Sequence, residues 1–478
     1  MSDLEKQQIQ VLPARKAGES RFFGKRVHFI GIGGCGMSGL AKILADAGAI
    51  VTGSEPKPNN ATMALVRGGV KISRDQVGAM LTRDVDLVVR TAAVKDDNLE
   101  FRYARTLELP NVKYAQLLGD VMRERLGVAV AGTHGKSTTT GMIAYTMTMC
   151  QQDPSWVVGG TVPQLKGGSG SGSGKAFVVE ACEYDRSFHN LFPTVALITN
   201  IDKDHLDCYG SLENIVDSFR IFVSRIPSDG LVICNGVDEN VIRAVDDAPC
   251  RIETVAVGQN ATWSVIPTGI VNGCHTGQIL HNGELVASLQ LTVAGAHNLF
   301  NATMAVAACA ACGVKPDMAA ATVATFEGVD RRMSLKGTYR GATVIDDYGH
   351  HPTEIRATLR ALREQYQPRR LFCCFQPHQY SRTRLLFEEF AACFEDADDA
   401  ILTDIYRCRD SEEDVQAVNT PMLVERIRVN GQNAVHVPDF PGIVDYIKTR
   451  AGAGDLVLTI GAGNIWEIGQ ELVDLGTP

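Results

Sequence analysis

The stretch from Val128 to Thr140 reads VAVAGTHGKSTTT and joins a short apolar run to a glycine-containing turn. The apolar run is typical of a buried strand, and the threonine-rich end is typical of a helix start. The backbone N–H groups of such a turn, together with the positive end of the following helix, bind phosphate oxygens. We therefore predict a phosphate-binding loop that consists of Gly132, Thr133, His134, Gly135, Lys136, Ser137 and Thr138.

Two side chains of this loop carry its predicted chemistry. The Lys136 ammonium is expected to reach the terminal phosphates, and the Ser137 hydroxyl is expected in the ligand shell of Mg²⁺. The usual pattern has a glycine five residues before Gly135, where this chain has Val130. The alternative is a glycine-containing turn with an exposed lysine. The order of strand, glycines, Lys-Ser and helix favours a site for a nucleoside triphosphate.

The bulk composition excludes several classes of function. A chain of 478 residues is too long for one hydrophobic core, and its length suggests about three domains. The net charge of −9 argues against a nucleic-acid partner. The sequence has no apolar run long enough for a membrane span, so we expect no membrane insertion. The 13 scattered cysteines fit a protein of the reducing cytoplasm.

A second glycine motif, GIGGCGMSG at positions 31–39, follows a predicted strand at 25–30 and leads into a predicted helix at 40–47. Such a G-x-G-x-x-G turn binds a pyrophosphate, and Glu55 stands near the distance at which an acidic residue meets the ribose. A simple interpretation is an NAD or FAD site, but the pattern alone leaves the nucleotide open. Thr91 and Ala92 follow another predicted strand, at 86–90, where open α/β sheets present their ligand-binding loops.

Two acidic clusters follow predicted strands in the central part of the chain. EACEYD spans positions 180–185, and TNIDKDHLD spans positions 199–207. Carboxylates and a histidine on strand-end loops suit Mg²⁺ and a triphosphate. The alternative is a pair of solvated acidic loops. Their position downstream of the phosphate loop favours the metal-site interpretation.

Three further central segments have predicted structures. The glycine–serine run at 166–175 is predicted to be a mobile surface loop. Residues 231–290 are predicted to form a small antiparallel sheet. His297 and Asn301 are four residues apart and would share one helix face, where they either bind a base edge or only cap and pack the helix.

The last third of the chain repeats the pattern of strands that end in polar motifs. The predicted strands at 342–345 and 371–375 run into DDYGHHPTE and QPHQYSRTR, so that His, Arg and Asp gather at strand ends. Strands alternate with helical stretches through the chain. This alternation predicts an α/β fold with mostly parallel, wound sheets.

The sequence resembles the Mur ligases of peptidoglycan synthesis over nearly its whole length, from about residue 27 to residue 464. Eight motifs in the family's order carry the resemblance: GIGGCGMSGLA (31–41), AGTHGKSTTT (131–140), EACEYDRSF (180–188), TNIDKDHLD (199–207), GAHNLFNA (295–302), DDYGHHPTE (346–354), FQPHQYSRTR (375–384) and GAGN (461–464). The resemblance implies three α/β domains. These are an N-terminal Rossmann-like UDP-binding domain (1–126), a central P-loop ATPase domain (127–335) and a C-terminal Rossmann-like domain (336–478).

The resemblance also implies a reaction. ATP would phosphorylate the lactyl carboxylate of UDP-N-acetylmuramate, and the amine of L-alanine would attack the resulting acyl phosphate to release phosphate. The implied cofactors are ATP and Mg²⁺, with Mn²⁺ as an alternative to Mg²⁺. We expect a cytoplasmic monomer or homodimer. Because acyl phosphates hydrolyse, domain closure should exclude water before the chemical steps.

Motif positions imply the residue roles. The UDP-sugar would contact Gly31, Gly33, Gly34, Gly36, Met37, Ser38, Ser54, Glu55, Thr91 and Ala92, so the first glycine motif is predicted to bind UDP and not NAD. Ser137, Glu183 and His205 would hold the metal. The adenine would contact His297, Asn298 and Asn301, while Arg331 or Arg332 would reach the ATP phosphates and Asp347 the ATP ribose. From the C-terminal domain, Tyr348, His350, His378 and Arg382 would face the substrates. Lys136, Glu183, His205, His350 and Arg382 are the predicted catalytic residues.

The sequence departs from the family pattern at several positions: Ser137 replaces a threonine, Glu55 stands where aspartate is common, and EACEYD replaces EADESD while keeping both glutamates. A further departure and three rival functions bear more directly on this prediction. Gln379 occupies a place where arginine is frequent, which removes a positive charge near the presumed alanine carboxylate. The nearest rival is the recycling branch of the family, which joins a preformed murein peptide to the same UDP-sugar. An NAD-dependent oxidoreductase would leave the phosphate loop and the acidic clusters unexplained. A nonenzymatic regulator would bind ATP without releasing phosphate when an amino acid is added.

Overall fold

Three β-sheets, each flanked by helices, follow one another along the chain. The computed structural model describes residues 20–91 and 93–476. The predicted α/β fold with three sheet-containing regions is confirmed.

The first sheet is built from five parallel strands. The strands are β1 (Arg26–Ile30), β2 (Ile50–Ser54), β3 (Lys71–Ser73), β4 (Leu87–Arg90) and β5 (Asn111–Lys113), and the helices are α1 (Cys35–Asp46), α2 (Asn60–Arg67), α3 (Leu99–Thr106) and α4 (Tyr114–Met122). The strand order is β3-β2-β1-β4-β5, so the chain reverses its direction of winding between β1 and β4. Ligands of open α/β sheets bind at such a switch point, beyond the carboxyl ends of the strands.

The second sheet contains ten strands and the phosphate loop. Its strands are β6 (Leu126–Ala131), β7 (Ser155–Val162), β8 (Gly167–Gly170), β9 (Ala176–Glu180), β10 (Val195–Ile198), β11 (Leu231–Asn235), β12 (Arg251–Val257), β13 (Trp263–Val271), β14 (Cys274–His281) and β15 (Glu284–Gln290). Its helices are α5 (Lys136–Met149), α6 (Leu206–Tyr209), α7 (Leu212–Val223), α8 (Glu239–Val245), α9 (His297–Ala311) and α10 (Pro316–Val323), with 3₁₀ turns at Pro163–Leu165 and Tyr184–Asn190. The order is β15-β14-β13-β12-β11-β10-β6-β9-β7-β8.

The prediction of a small antiparallel sheet over residues 231–290 is correct for residues 263–290 and wrong for the two strands before them. Strands β11 and β12 pair in parallel with their neighbours in the second sheet, whereas the β13–β14 and β14–β15 pairs at one edge of that sheet are antiparallel. Alternating short strands and turns look alike in both arrangements. The partner of β11 is the distant strand β10, which a local pattern does not reveal.

The glycine–serine run is also more ordered than predicted. Gly167–Gly170 forms the edge strand β8, which pairs antiparallel with β7. The Arg125 guanidinium donates hydrogen bonds to the carbonyls of Gly172 and Gly174. A Cβ at Gly39 of α1 would overlap Ser169, so this edge strand lies against a helix of the first domain. The prediction from composition missed these tertiary contacts.

The third sheet has six strands in the order β16-β17-β21-β18-β19-β20. They are β16 (Ser334–Tyr339), β17 (Ala342–Asp347), β18 (Leu371–Phe375), β19 (Asp399–Leu402), β20 (Ala434–His436) and β21 (Leu456–Ile460). The helices are α11 (Pro352–Tyr366), α12 (Tyr380–Leu385), α13 (Phe387–Ala391), α14 (Glu412–Ala417), α15 (Thr420–Val429), α16 (Phe440–Lys448) and α17 (Trp466–Gly476). All pairs are parallel except β16 with β17.

Continuous apolar strands explain why these sheets are covered on both faces. Every residue of β6 and of β18 is buried, as expected for central strands of parallel sheets. Polar residues therefore concentrate where these strands end. Within the described ranges, no helix combines the length and the apolar character needed to cross a membrane.

Candidate functional site

The phosphate loop connects β6 to α5 through two glycines with positive φ. Gly132 has φ +139° and Gly135 has φ +80°, and α5 begins at Lys136. A Cβ at Gly132 would overlap the Thr199 hydroxyl and would lie 3.1 Å from the backbone nitrogen and oxygen of Asn200. The loop therefore packs directly against the strand-end segment that begins at Thr199.

Replacing Gly132 by alanine is expected to weaken ATP binding at least about tenfold, which corresponds to about 1.4 kcal/mol. The new methyl group must move the 199–200 backbone, and a φ near +139° is accessible essentially to glycine alone. Calorimetric titration of the variant with ATP would measure the loss. Gly258→Ala is the matched control, because Gly258 also has positive φ (+66°) but open space around its Cβ position. An equal loss in both variants would contradict the packing explanation.

Lys136 lies folded against its own loop and a central-domain glutamate. Its ammonium donates hydrogen bonds to the carbonyls of Gly132 (2.6 Å) and Thr133 (2.9 Å) and to Glu183 Oε1 (2.9 Å). Burial opposes the charged form, but the attraction of Glu183, with Cys182 and Glu180, leaves the pKa of Lys136 raised. The loop thus carries a fixed positive charge at the position predicted for the terminal phosphates.

Glu183 and His205 present unused polar atoms beside this lysine. Glu183 Oε2 and His205 Nδ1 are buried, and neither has a hydrogen-bond partner among the described residues. Glu183 Oε1 lies 3.7 Å from His205 Nε2. Buried polar atoms without partners are costly unless a ligand completes them. The pair therefore fits the metal role that the sequence predicts for it.

A cavity of about 320 Å³ extends from the phosphate loop across to the C-terminal domain. The predicted nucleotide contacts that line it are His134, Gly135, Ser137, Thr138, His297, Asn298, Asn301, Arg332 and Asp347. Its inner wall is the first turn of α9. There the Asn301 amide donates to Asn298 Oδ1 (2.9 Å), and the Asn298 amide donates to the Ala294 carbonyl (2.6 Å). His297 and Asn301 thus share one cavity wall.

The electrostatics of this cavity vary along its length. Burial lowers the pKa of His297 to about 4, so its imidazole is neutral. Burial raises the pKa of Asp347 to about 6, against the opposing attraction of Arg332. Asp347 accepts hydrogen bonds from the backbone N–H groups of Met333 and Gly349. The cavity is neutral at the α9 wall and charged at the C-terminal domain.

The two candidate phosphate-binding arginines have different surroundings. Arg331 donates to Asp346 Oδ2 (3.1 Å) and to the Gly461 carbonyl (2.8 Å), and it lies outside the cavity lining. Arg332 lines the cavity and reaches Glu354 Oε1 at 3.4 Å. Of the two alternatives, the geometry favours Arg332.

On the opposite side of the phosphate loop, the C-terminal domain closes onto the segment 199–207. Arg382 Nε and Nη2 lie 3.0 and 2.9 Å from Asp204 Oδ1, and both side chains are buried. Gln379, which has φ +81°, donates its amide to Asp207 Oδ2 (3.1 Å). Arg382 and Gln379 are therefore bound to carboxylates of the central domain.

His350 and His378 lie beside this ion pair. Burial lowers the pKa of His350 to about 3 and the pKa of His378 to about 4. His350 Nδ1 lies 3.1 Å from the Tyr348 carbonyl, and its Nε2 lies 3.9 Å from Asp204 Oδ2. The Tyr348 side chain is 37% exposed and packs edge-on against His350. The four residues predicted to face the substrates, Tyr348, His350, His378 and Arg382, therefore lie close to one another.

The predicted UDP-binding cleft lies at the switch point of the first sheet. A cavity of about 530 Å³ is lined by Gly31, Gly34, Glu55 and Thr91 from the predicted set. The Glu55 carboxylate accepts a hydrogen bond from the Gly33 backbone N–H (3.0 Å). A Cβ at Gly36 would overlap the Tyr114 ring. The glycine motif thus lies open to a ligand on one side and close-packed on the other.

Three family models match the chain in the order of its sheets. They are described as Mur ligase family, catalytic domain (residues 26–126), Mur ligase middle domain (residues 130–309), and Mur ligase, glutamate ligase domain (residues 331–463). The chain belongs to the Mur ligase family. Two curated relatives, both UDP-N-acetylmuramate–L-alanine ligases, support this. The Acetivibrio thermocellus relative is 42% identical over 93% of this chain and 95% of its own length, and the Geobacter sulfurreducens relative is 41% identical over 94% and 97%.

Solved structures of Mur ligases share the fold. The UDP-N-acetylmuramate–alanine ligase of Thermotoga maritima has a TM-score of 0.77 and 28% identity, covering 94% of this chain and 98% of its own. A murein peptide ligase of Psychrobacter arcticus has a TM-score of 0.70 and 26% identity, covering 95% and 99%. Both branches considered from the sequence are therefore similar to this Mur ligase in structure.

Several predicted substrate residues of this Mur ligase lie away from the cleft surface. Met37 and Ser38 are buried on α1. Ser54 is fully buried, and its hydroxyl donates to Glu100, which also lies 3.0 Å from His28 Nε2. Ser54 is thus placed beneath the cleft rather than on its wall. Ala92 lies outside the described residues.

Sequence reasoning missed residues that join the domains of this Mur ligase. Glu354 contacts both His134 (3.5 Å) and Arg332 (3.4 Å), and it accepts the His350 backbone N–H. Its position three residues after the helix cap His351 is a capping-box signal, which predicts a helix start but not a contact across domains. In the first cleft, the unpredicted lining residues include Gln76, Lys95 and Asn98.

Proposed function

We propose that this Mur ligase is an ATP-dependent amide-bond ligase that joins L-alanine to the lactyl carboxylate of UDP-N-acetylmuramate. One observation carries the proposal. A single cavity combines the phosphate loop, the α9 amides and Arg332 with Asp347 of the C-terminal domain, next to the Lys136–Glu183–His205 cluster. ATP in this cavity would be enclosed by two domains. The names of the curated relatives supply the identity of the two substrates.

The first step brings two anions together. A carboxylate oxygen attacks the terminal phosphorus, the bond to the ADP oxygen breaks, and an acyl phosphate forms. Lys136 and Arg332 oppose the accumulated negative charge from the two sides of the cavity. The Lys136 ammonium is hydrogen-bonded to Glu183 and to two loop carbonyls. ATP must therefore either draw the ammonium toward its phosphates or bind with the ammonium in its present position.

Mg²⁺ fits the atoms beside Lys136. Ser137, Glu183 and His205 would hold it, because Glu183 Oε2 and His205 Nδ1 are buried without partners among the described residues. When bound, the ion neutralises phosphate charge and fixes the geometry of the triphosphate. Mn²⁺ accepts the same mixture of oxygen and nitrogen ligands.

In the second step, the ammonium group of L-alanine first loses a proton to solvent, the resulting amine nitrogen attacks the acyl carbon, phosphate leaves, and the nitrogen loses a second proton. His350 is suited to orient this amine. With Nδ1–H donating to the Tyr348 carbonyl, its Nε2 presents a lone pair. A group with a pKa of about 3 accepts a hydrogen bond from the amine but does not hold its proton at neutral pH. The proton therefore leaves to solvent or phosphate.

The first domain would hold the UDP moiety. Its G-x-G-x-x-G turn at the β1–β4 switch point offers backbone N–H groups to a pyrophosphate, and Glu55 stands beside it for the ribose or base. In the structure Glu55 occupies the Gly33 N–H, so the nucleotide must take over this hydrogen bond. We assign UDP rather than NAD to this cleft, because the ligase reaction needs UDP-N-acetylmuramate.

The test is phosphate release from ATP and Mg²⁺ with UDP-N-acetylmuramate, in parallel with L-alanine, glycine, L-serine or a murein tripeptide. Release that requires both the UDP-sugar and L-alanine is the expected result. Release with the tripeptide alone would move the protein to the recycling branch, which its likeness to the Psychrobacter murein peptide ligase makes the second candidate. ATP binding without release in any mixture would overturn the enzymatic proposal.

Asp347→Asn is expected to stabilise the protein at neutral pH while weakening ATP binding. The pKa of Asp347 is raised in the folded state to about 6, so ionisation destabilises the fold as pH rises from about 4 to 6, and the penalty is fully present at neutral pH. Removing the charge should add about 1–2 kcal/mol to the free energy of unfolding, less than the shift alone implies, because the asparagine NH2 group cannot accept one of the two backbone N–H bonds. Near pH 4 the variant should be no more stable than the wild type. Chemical unfolding at both pH values measures this. A variant that is less stable than the wild type at neutral pH would contradict the predicted direction of the effect.

The location and assembly of the protein follow from the same proposal. Its substrates, ATP and a UDP-sugar, belong to the cytoplasm. The twelve cysteines whose side chains the structure describes are all free thiols, which fits a reducing compartment. A monomer or homodimer is the expected assembly, which sedimentation analysis would test.

A further inference from the structure

Three potential metal ligands from two domains converge next to the phosphate loop. His134 belongs to the loop, Asp202 follows β10, and His351 caps the N-terminus of α11. Their ligand atoms all lie within 4.8 Å of one another. His134 Nε2 is 3.3 Å and His351 Nδ1 is 3.9 Å from the same oxygen, Asp202 Oδ2. None of the three is among the predicted Mg²⁺ ligands.

The spacing is close to that of a tetrahedral transition-metal site. Zinc bonds of about 2.0–2.2 Å place neighbouring ligand atoms about 3.4 Å apart. The two nitrogens lie 3.3 and 3.9 Å from Asp202 Oδ2, and all three ligand atoms lie within 4.8 Å of one another, so metal binding requires the ligand atoms to move together by at most about 1.4 Å. Two imidazoles and one carboxylate also favour Zn²⁺ over Mg²⁺, which prefers oxygen ligands in octahedral geometry.

Both imidazoles have the outer partners that metal-binding histidines commonly use. His351 Nε2 lies 3.1 Å from the Lys203 carbonyl, and His134 Nδ1 lies 3.5 Å from Glu354 Oε1. In His351, donation of the Nε2–H to a carbonyl leaves Nδ1 free to bind a metal. His134 faces a carboxylate with each ring nitrogen. Burial opposes its charged form, but hydrogen bonds to Asp202 and Glu354 outweigh burial and raise the pKa of His134 to about 9, so a metal ion must displace the proton on Nε2. These contacts direct His134 Nε2 and His351 Nδ1 toward Asp202.

We propose that His134, Asp202 and His351 form a Zn²⁺ site between the central and C-terminal domains, with solvent as the fourth ligand. Without metal, Thr353 occupies two of the ligand atoms: its hydroxyl donates to Asp202 Oδ2 (3.0 Å), and its backbone N–H donates to His351 Nδ1 (3.3 Å). The ion would replace both hydrogen bonds. The Asp202 side chain is 37% exposed, so the site is open to solvent.

Bound Zn²⁺ would hold the two domains together. His134 and Asp202 move with the central domain and His351 with the C-terminal domain, so opening must break at least one metal–ligand bond. If the proposed ligase function is right, micromolar Zn²⁺ should slow turnover by delaying product release. The binding itself does not depend on that function.

Titration of the full chain with Co²⁺, at saturating Mg²⁺, tests the site directly. The expected result is one Co²⁺ per chain with the intense visible absorption of a tetrahedral ion, displaced by Zn²⁺. Asp202→Asn and His351→Asn should each weaken binding at least about tenfold. Asparagine remains a good helix cap, so His351→Asn should keep α11 and the unfolding temperature.

His205→Asn is the matched control, because it removes an imidazole from the predicted Mg²⁺ site only. Absorption that survives in His205→Asn and disappears in His351→Asn supports the proposal. The reverse pattern would place Co²⁺ with Glu183 and His205 and overturn it, as would wild-type spectra in all three variants. None of these readouts uses phosphate release, so failure of the ligase proposal would be seen separately.

Discussion

Lys136→Met is expected to lower phosphate release about a thousandfold while leaving the affinity for UDP-N-acetylmuramate unchanged. The Lys136 ammonium lies in the phosphate loop beside Glu183, and removal of a single preorganised charge-stabilising group commonly costs about 10²–10³ in rate. The UDP-sugar would bind the first domain, which is built on a different sheet. Stopped-flow or coupled phosphate assays and calorimetric titration with the UDP-sugar measure the two quantities.

The substitution also removes the partner of a buried carboxylate, so folding must be controlled. Glu183 is 4% exposed and would be left with an unpaired charge. The double variant Lys136→Met/Glu183→Gln should recover stability without recovering turnover. Lys175→Ala, at an exposed lysine of the same domain, should leave both quantities unchanged. Equal losses of turnover and UDP-sugar affinity in Lys136→Met would show that the domains do not divide these tasks.

The sequence was most informative where function depends on local order along the chain. The apolar run of β6, the two glycines and the polar start of α5 occur in thirteen consecutive residues, and local patterns are sufficient to predict them. The clusters at 180–185 and 199–207 were likewise found because parallel strands place their carboxyl ends at one edge. The shared helix face of His297 and Asn301 could be predicted from their four-residue spacing alone.

Pairings between distant segments could not be predicted in this way. No residue near Asp204 in the sequence indicates that it pairs with Arg382, 178 residues later. Likewise, the sequence around Asp207 does not indicate that its carboxylate accepts a hydrogen bond from Gln379. Residues 199–207 therefore have two roles, and the composition of the segment does not show which residue has which role. His205 faces Glu183, whereas Asp202, Asp204 and Asp207 face the C-terminal domain. The same limit explains why the parallel pairing of β11 and β12 and the pairing of β8 with β7 were not predicted.

Arg382→Gln is expected to reduce kcat/KM for L-alanine by about two to three orders of magnitude. The Arg382–Asp204 pair is buried, with side-chain exposures of 6% and 8%, and it joins two domains. Burial opposes the charged form of Asp204, but the positive charge of Arg382 holds the pKa of Asp204 well below the usual range. Removing one partner of such a pair typically costs about 3–5 kcal/mol, because the other charge stays buried. The closed arrangement should then be populated much less.

A double-mutant cycle distinguishes this closure role from direct binding of the alanine carboxylate. If the pair closes the domains, Asp204→Asn alone should be nearly as damaging, and Arg382→Gln/Asp204→Asn should be less damaging than the two single effects combined. If Arg382 serves only the substrate, Asp204→Asn should leave kcat/KM almost unchanged. Arg384→Gln is the control on the same helix, because Arg384 pairs with Asp414 within the C-terminal domain and is 42% exposed. UDP-sugar affinity should stay constant in every variant, since closure of the other two domains does not enter that binding step.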